Sequence, residues 1–314
     1  MHKTALLFSG QGAQKAGMAS DFARDPRFDD IFEAAGDICG FDVRAACGDA
    51  EALRDAYRVQ PALCAASIAS ARALALEGLE PSCVAGFSLG QVAALHAAGM
   101  LSLVDTFRLV DVRARAMARA ALARPGAMCA LSGGDEGDVV ALCERCANGD
   151  VLVPANFNAP GQVVVSGDAQ AVRRAADAWK APGLRATMLP VAGAFHSPLM
   201  DEAAAEVAAF LEGIAFAPAR IALVNNVDAL PLEAARAREQ VAAQVRMPVR
   251  FAHSVSWMRA QGVRFFVECG SGAVLSGLVR RIDASAVRYR ASTWEEAVSA
   301  ARACAPCATE GDIR

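Results

Sequence analysis

Aromatic residues are scarce in this chain of 314 residues, at 6% against 54% hydrophobic overall. A core must therefore be built from alanine, valine and leucine, and there is ample apolar material for a large one. An excess of charge of one sign is missing too. The chain carries 31 basic and 34 acidic residues, a formal net charge of −3. That excludes general nucleic-acid binding through a basic surface, although a local basic patch stays open. No uninterrupted apolar run of about 18 residues occurs, so no transmembrane helix and no membrane partner are expected. The apolar stretch before Ser9-Gly10-Gln11 is too short for a secretory signal and reads as a first core strand, so a cytoplasmic protein is expected. Ten cysteines in a chain of this length do not make a disulfide scaffold. The two C-x-x-C pairs are Cys143/Cys146, in a helical stretch, and Cys304/Cys307, in a C-terminal tail expected to fray. Neither has a histidine at zinc-ligand spacing, so no metal site is expected. Cys64, Cys83, Cys129 and Cys269 read as small core residues.

What is present is concentrated in residues 82–95. Cys83-Val84-Ala85-Gly86 reads as a short buried strand, Gly86-Phe87-Ser88-Leu89-Gly90 as a G-x-S-x-G turn, and Gln91 to Ala98 as an apolar helix. This is the context of a nucleophile elbow. Gly86 and Gly90 lack a Cβ, so strand and helix can approach across a sharp turn. The turn lifts Ser88 Oγ off the sheet, and the first helical turn aims free N–H groups at whatever Ser88 attacks. That points to acyl transfer through a serine ester. The alternative is a glycine-flanked turn serine without chemistry.

The length suggests about two domains, or one with an insertion. Strands are read at Thr4–Phe8, Cys83–Gly86, Ile221–Val224 and Arg264–Cys269. Helices are read over Gln60–Gly78, Leu103–Leu122 and Pro198–Leu211. Arg124-Pro125-Gly126 breaks the second of these helices. A different rhythm follows it. Strands at Ala127–Leu131, Val151–Phe157, Gln162–Ser166 and Arg185–Pro190 alternate with helices at Asp135–Cys146 and Ala169–Lys180. The β-α-β-β-α-β order matches a ferredoxin-like unit. The expected architecture is an α/β-hydrolase-like body with a parallel sheet, residues 1–125 and 191–314, carrying a small ferredoxin-like insertion, residues 126–190.

A serine hydroxyl needs a base at neutral pH, and the chain has four histidines. His2 is terminal. His96 lies on the elbow helix itself, about 12 Å along its axis from Ser88. His253 stands near a helix start with no supporting pattern. His196, in Phe195-His196-Ser197-Pro198, lies on a loop that leaves the insertion and re-enters the body, just before a helix that Pro198 would open. It is the candidate base. The acid of a hydrolase triad is missing, because no Asp or Glu between Ser88 and His196 stands at a recognisable strand end. A neutral acceptor such as a backbone carbonyl would then orient His196, which suits a thioester with its good leaving group. Arg108, Arg113, Arg115 and Arg119 lie on the next helix. One of them turned inward would be a carboxylate receptor, and periodicity does not choose which.

Eight motifs occur in order: Gly10-Gln11-Gly12-Ala13-Gln14, Gln60-Pro61-Ala62-Leu63, Gly86-Phe87-Ser88-Leu89-Gly90, Val112-Arg113, Asn156-Phe157-Asn158-Ala159-Pro160-Gly161-Gln162, Phe195-His196-Ser197, Val224-Asn225-Asn226-Val227 and Pro248-Val249-Arg250-Phe251. Together, to about Arg281, they closely resemble the malonyl-CoA:acyl-carrier-protein transacylase family of fatty-acid synthesis. The resemblance implies that Ser88 is the nucleophile and His196 its base. It implies that the backbone N–H groups of Gln11 and Leu89 form an oxyanion hole and that Arg113 pairs with the malonyl carboxylate. It further implies that the Gln244 carbonyl orients the histidine and that Phe195 marks malonyl over methylmalonyl. The implied partners are malonyl-CoA and acyl carrier protein. A monomer is expected, with no metal or other cofactor, the coenzyme A thioester being substrate. Arg280 and Arg281 are candidates for a basic docking surface, ordinary solvated arginines being the alternative. Malonyl transfer in a malonate decarboxylase or polyketide pathway, a thioesterase, and a silent carrier-binding module are the competing readings. Two positions depart from the family. Phe87 stands where it usually has His, and Gln91 where it usually has Glu. Loss of that carboxylate weakens dipole pairing in the first helical turn by about 0.3–1 kcal/mol.

Overall fold

The computed structural model describes residues 3–191 and 193–305. Nine strands run along these residues: β1 (Lys3–Phe8), β2 (Cys83–Gly86), β3 (Gly126–Ser132), β4 (Leu152–Ala159), β5 (Gln162–Asp168), β6 (Arg185–Met188), β7 (Ala222–Val224), β8 (Val263–Cys269) and β9 (Val287–Ala291). They form two sheets. The larger has the order β7-β2-β1-β8-β9 with every neighbouring pair parallel. The smaller has the order β4-β5-β3-β6 and is antiparallel throughout. The protein is therefore α/β, with a parallel sheet and a second, antiparallel sheet formed by the chain between β2 and β7.

A parallel sheet covered on both faces needs strands that are apolar on both faces. β1 meets that condition, since every residue from Thr4 to Phe8 is buried. Leu6 and Phe8 face a large cluster with Leu63, Val92, Phe107 and Val207, on helices Val59–Leu76, Gly90–Ala97, Leu103–Ala123 and Asp201–Leu211. Ala5 and Leu7 face the other way, onto Phe251, Val255, Leu275 and Val279 from helices Phe251–Ala260 and Val274–Ile282. Phe8 is in register with Gly86 of β2. The loop after β1 and the turn after β2 therefore leave the sheet side by side at its C-terminal edge, the usual place for a ligand site in such sheets.

Several expectations change in detail. β9 is an additional strand, at the sheet edge. The helix expected over Pro198–Leu211 divides into a single tight turn, Pro198–Met200, and a helix, Asp201–Leu211. Cys304 closes an ordered helix, Trp294–Cys304, rather than lying in a frayed tail, because Ala297, Ala300 and Ala301 bury themselves in the core. Its C-x-x-C partner Cys307 lies outside the described residues. The helix Val59–Leu76 is long and apolar enough by length and composition to cross a membrane, with mean hydropathy 1.3, yet 78% of it is buried within the protein. Its polar Gln60, Ser67, Ser70 and Arg72 are why the sequence shows no unbroken apolar run. Among the described residues no cluster of three or more His, Cys, Asp or Glu side chains gathers.

Candidate active site

The turn after β2 holds Ser88 at φ 52°, a left-handed conformation that a non-glycine residue seldom adopts. Two neighbouring glycines make it possible. A Cβ on Gly86 would lie 1.9 Å from Gln91 N, and one on Gly90 would lie 2.0 Å from Phe8 O. The strained turn is pinned from outside by two amide side chains. Ser88 N–H donates to Asn226 Oδ1 at 2.9 Å, and Gln244 Nε2 donates to the Ser88 carbonyl at 2.6 Å. Asn226 Nδ2 also donates to the Gly86 carbonyl at 2.6 Å. Behind them Gln91 donates to Asn225 Oδ1 at 3.1 Å and accepts from Asn226 N–H at 2.7 Å. Gln91 uses both ends of its amide there, and a carboxylate would supply no donor for Asn225. Phe87 is half-buried and meets Phe251 edge-on at 5.5 Å.

His196 is buried, 3% exposed, on the loop before Pro198. Its Nδ1 lies 2.9 Å from the Gln244 carbonyl and 3.1 Å from the Met247 carbonyl. Carbonyls only accept, so Nδ1 carries the hydrogen and Nε2 is left as an acceptor. Nε2 stands 2.7 Å from Ser88 Oγ, which can donate to it. Among the described residues no carboxylate contacts the ring. Burial, and then the nearby Arg113 charge, lower the His196 pKa to about 4, against the weaker upward pull of the two carbonyls. The imidazole is therefore neutral at physiological pH and able to accept the Oγ proton.

Helix Leu103–Ala123 sorts its arginines by face. Arg108, Arg115 and Arg119 pair with Asp105, Asp111 and Glu206 at the surface. Arg113 turns inward and is 3% exposed. Its Nη1 donates to Gln60 Oε1 at 2.5 Å and its Nη2 to Ser88 Oγ at 3.1 Å, while its buried Nε has no partner among the described residues. Burial lowers its pKa to about 10, so it remains charged at neutral pH. An enclosed guanidinium with an unused donor, and no carboxylate of its own, is a receptor for an anion.

Gln11 and Leu89 flank Ser88 on the two adjacent loops, and among the described residues neither backbone N–H has an internal hydrogen bond. Both line a cavity of about 580 Å³ between the body and the smaller sheet, together with Ser88, Arg113, Phe195 and His196. Phe195 packs on Met128, Ala155 and Val164 of the smaller sheet. Gln244 reaches the site twice, by its carbonyl to His196 and by its amide to Ser88. His96 and His253 stay away from the site. His96 Nδ1 donates to the Leu101 carbonyl, and His253 lies 3.5 Å from Glu136. Gln60 and Asn226 emerge as site residues whose roles the sequence motifs leave unassigned. The signal available for both is a polar amide amid an otherwise apolar stretch. Arg280 and Arg281 are exposed in the last turn of helix Val274–Ile282, whose Val274 and Leu278 line the cavity.

A family model described as an acyl transferase domain matches residues 5–299. The malonyl CoA-acyl carrier protein transacylase of Salmonella typhimurium is 40% identical over 288 residues, covering 90% of this chain and 93% of that protein. The crystal structure of malonyl-CoA:acyl carrier protein transacylase from Xanthomonas oryzae superposes with a TM-score of 0.91 at 38% identity, over 96% of this chain and 99% of that one. A malonyl-transacylase solved in complex with its type II polyketide acyl-carrier protein gives a TM-score of 0.91 at 37% identity, over 96% and 99%.

Proposed function

We propose, for a chain that belongs to the acyl transferase domain family, that it transfers a malonyl group from malonyl-CoA to the phosphopantetheine thiol of acyl carrier protein in fatty-acid synthesis. It is an acyltransferase, an acyl-carrier-protein S-malonyltransferase. We read its body as hydrolase-like and its inserted unit, residues 126–190, as ferredoxin-like, a reading supported by the strand order β4-β5-β3-β6.

The observation that carries the chemistry is the 2.7 Å contact of Ser88 Oγ with a neutral His196 Nε2, beside a buried arginine whose Nε has no partner among the described residues. His196 takes the Ser88 proton as Oγ attacks the malonyl thioester carbonyl. The Gln11 and Leu89 N–H groups stabilise the oxyanion of the tetrahedral intermediate, worth about 2.7–4 kcal/mol per donor in comparable sites. The C–S bond breaks and the thiolate of coenzyme A takes the proton from His196. The carrier thiol then gives its proton to Nε2 and attacks the malonyl-serine ester, and Ser88 leaves with that proton. The Gln244 and Met247 carbonyls hold the imidazole in the tautomer both half-reactions need. Arg113 pairs with the free carboxylate, exchanging its contact with Ser88 Oγ for one with the substrate. Phe195 closes the acyl pocket beside Met128. This chemistry draws on side chains and backbone donors, with the coenzyme A thioester as substrate and no cofactor. Arg280 and Arg281, exposed on the helix whose Val274 and Leu278 line the cavity, are the basic groups to meet an acidic carrier.

Release of coenzyme A separates transfer from hydrolysis. Without carrier protein, malonyl-CoA should release one equivalent of coenzyme A per enzyme and stop, and holo carrier should restore turnover. Continuous release without carrier would instead make the protein a thioesterase.

A further inference from the structure

The C-terminal end of the elbow helix, away from Ser88, borders a second cavity of about 270 Å³. It shares no lining residue with the cavity that holds Ser88. Leu6 of β1, Ile68 of helix Val59–Leu76 and Leu79 from the loop before β2 give it an apolar lining, and all three are buried. His96, near the end of helix Gly90–Ala97, lies beside them, and Arg72 and Arg220 are the cationic groups.

The two arginines differ in what they meet. Arg72 Nη2 donates to Asp30 Oδ2 at 2.8 Å, and its Nη1 donates to the other Asp30 oxygen and to the Arg27 carbonyl, so its charge is balanced. The Arg220 guanidinium has no acceptor and no carboxylate partner among the described residues. Its place is nonetheless fixed. Arg220 N–H donates to the Ala98 carbonyl at 2.8 Å, and its side chain lies across Gly99, φ +75°. A Cβ there would stand 2.2 Å from Arg220 Nε. Glycine thus lets the guanidinium approach the helix end, where the carbonyl dipoles favour a cation. His96 stands within the field of the same groups. Burial lowers its pKa, the Leu101 carbonyl pulls upward, and the Arg72 and Arg220 charges lower it further, against Asp30. The ring is neutral at physiological pH and balances nothing. One uncompensated positive charge therefore remains beside an apolar lining.

We infer that this cavity binds a medium-chain carboxylate, of about eight carbons, with its head group on Arg220 and its alkyl tail along Leu6, Ile68 and Leu79. A carboxylate meets a guanidinium at two points, which a single uncompensated arginine can supply. The tail uses the apolar surface, which an inorganic anion would leave bare, and a neutral chain would leave Arg220 without its partner. The volume is at the small end for ligand pockets, about 300–1,000 Å³. That suits a short amphiphile and is too little for a nucleotide or a coenzyme A ester. The site stands apart from the chemistry at Ser88.

Octanoate is the probe, with octanol lacking the charge and acetate lacking the tail. The other anion receptor, Arg113, is removed first, so that the two cavities are told apart. Calorimetric titration of Arg113→Ala with octanoate should show one saturable site, with octanol and acetate each at least about 10-fold weaker. Adding Arg220→Ala should weaken octanoate about 10-fold or more and leave octanol unchanged, and Arg220→Lys should fall between. Arg220→Ala alone should keep the thermal stability and Ser88 acylation rate of wild type, which separates a lost ligand contact from a lost fold. Absence of saturable octanoate binding, binding that disappears with Arg113→Ala, or equal affinity with and without the Arg220 guanidinium would each overturn the inference.

Discussion

Arg113 acts on two properties of the site at once. Its charge is the second cause, after burial, of the lowered His196 pKa. A base works when neutral, so the acylation rate is lost as pH falls through that pKa. Arg113→Ala removes a repulsion against the imidazolium, so the histidine should move from about 4 toward its ordinary 6.5. The acid limb of kcat/KM for Ser88 acylation should therefore shift to higher pH in the variant. A limb that stays in place, or moves lower, would contradict the electrostatic role. The same variant should lose its preference for malonyl over acetyl. A charge-assisted hydrogen bond of this kind contributes about 1.5–3 kcal/mol, or about one to two orders of magnitude in rate. Measuring kcat/KM with both thioesters settles it, since an unchanged ratio would make Arg113 a structural residue. The residue scale also shows where the sequence stops being informative. Spacing alone left four arginines on one helix equivalent, and what sets Arg113 apart is a partner 53 residues away. Gln60 receives Arg113, while Asp105, Asp111 and Glu206 hold the others.

At the scale of elements, the elbow is the feature with least room for change. A Cβ at Gly90 would lie 2.0 Å from the Phe8 carbonyl oxygen and 2.9 Å from that of Ser9, both backbone atoms of the neighbouring strand and loop. Gly90→Ala must push the elbow helix away from β1. It should destabilise the protein by about 1–3 kcal/mol, as overpacked cores do, and displace Ser88 from His196. Thermal unfolding and acylation rate should fall together, and a variant that keeps both would show that the close approach is unnecessary. β2 and this turn were legible because a four-residue apolar strand, two glycines and an apolar helix are all local signals. β9 was not legible. Arg288, Tyr289 and Arg290 interrupt its apolar pattern because it lies at the sheet edge and pairs with β8 on one side only. Asn226 was unreadable for another reason. Its bond to Ser88 N–H spans 138 residues, and no local pattern encodes a contact of that separation.

Across the whole molecule, the cavity exists because two sheets meet. The edge of β4 docks on the body through Phe157 N–H to the Val249 carbonyl and Val249 N–H to the Ala155 carbonyl, each at 2.9 Å. The body brings Ser88, Arg113 and the Gln11 loop, the connection between the two brings Phe195 and His196, and the smaller sheet adds Met128 and Asn158. The β-α-β-β-α-β rhythm after the break at Pro125 made the strands of the second, antiparallel sheet readable from sequence. How it closes on the body depends on Val249, in a segment about 90 residues past the hairpin it pairs with, and periodicity is silent on that. The claim on which the account turns is that this closed site builds a malonyl ester on one serine. Peptide-level mass spectrometry after mixing the protein with malonyl-CoA, carrier protein absent, tests it directly. The account predicts one malonyl group on the peptide containing Ser88, no label on Ser88→Ala, and loss of the label when holo carrier protein is added. Label on another residue, or equal label on Ser88→Ala, would contradict it.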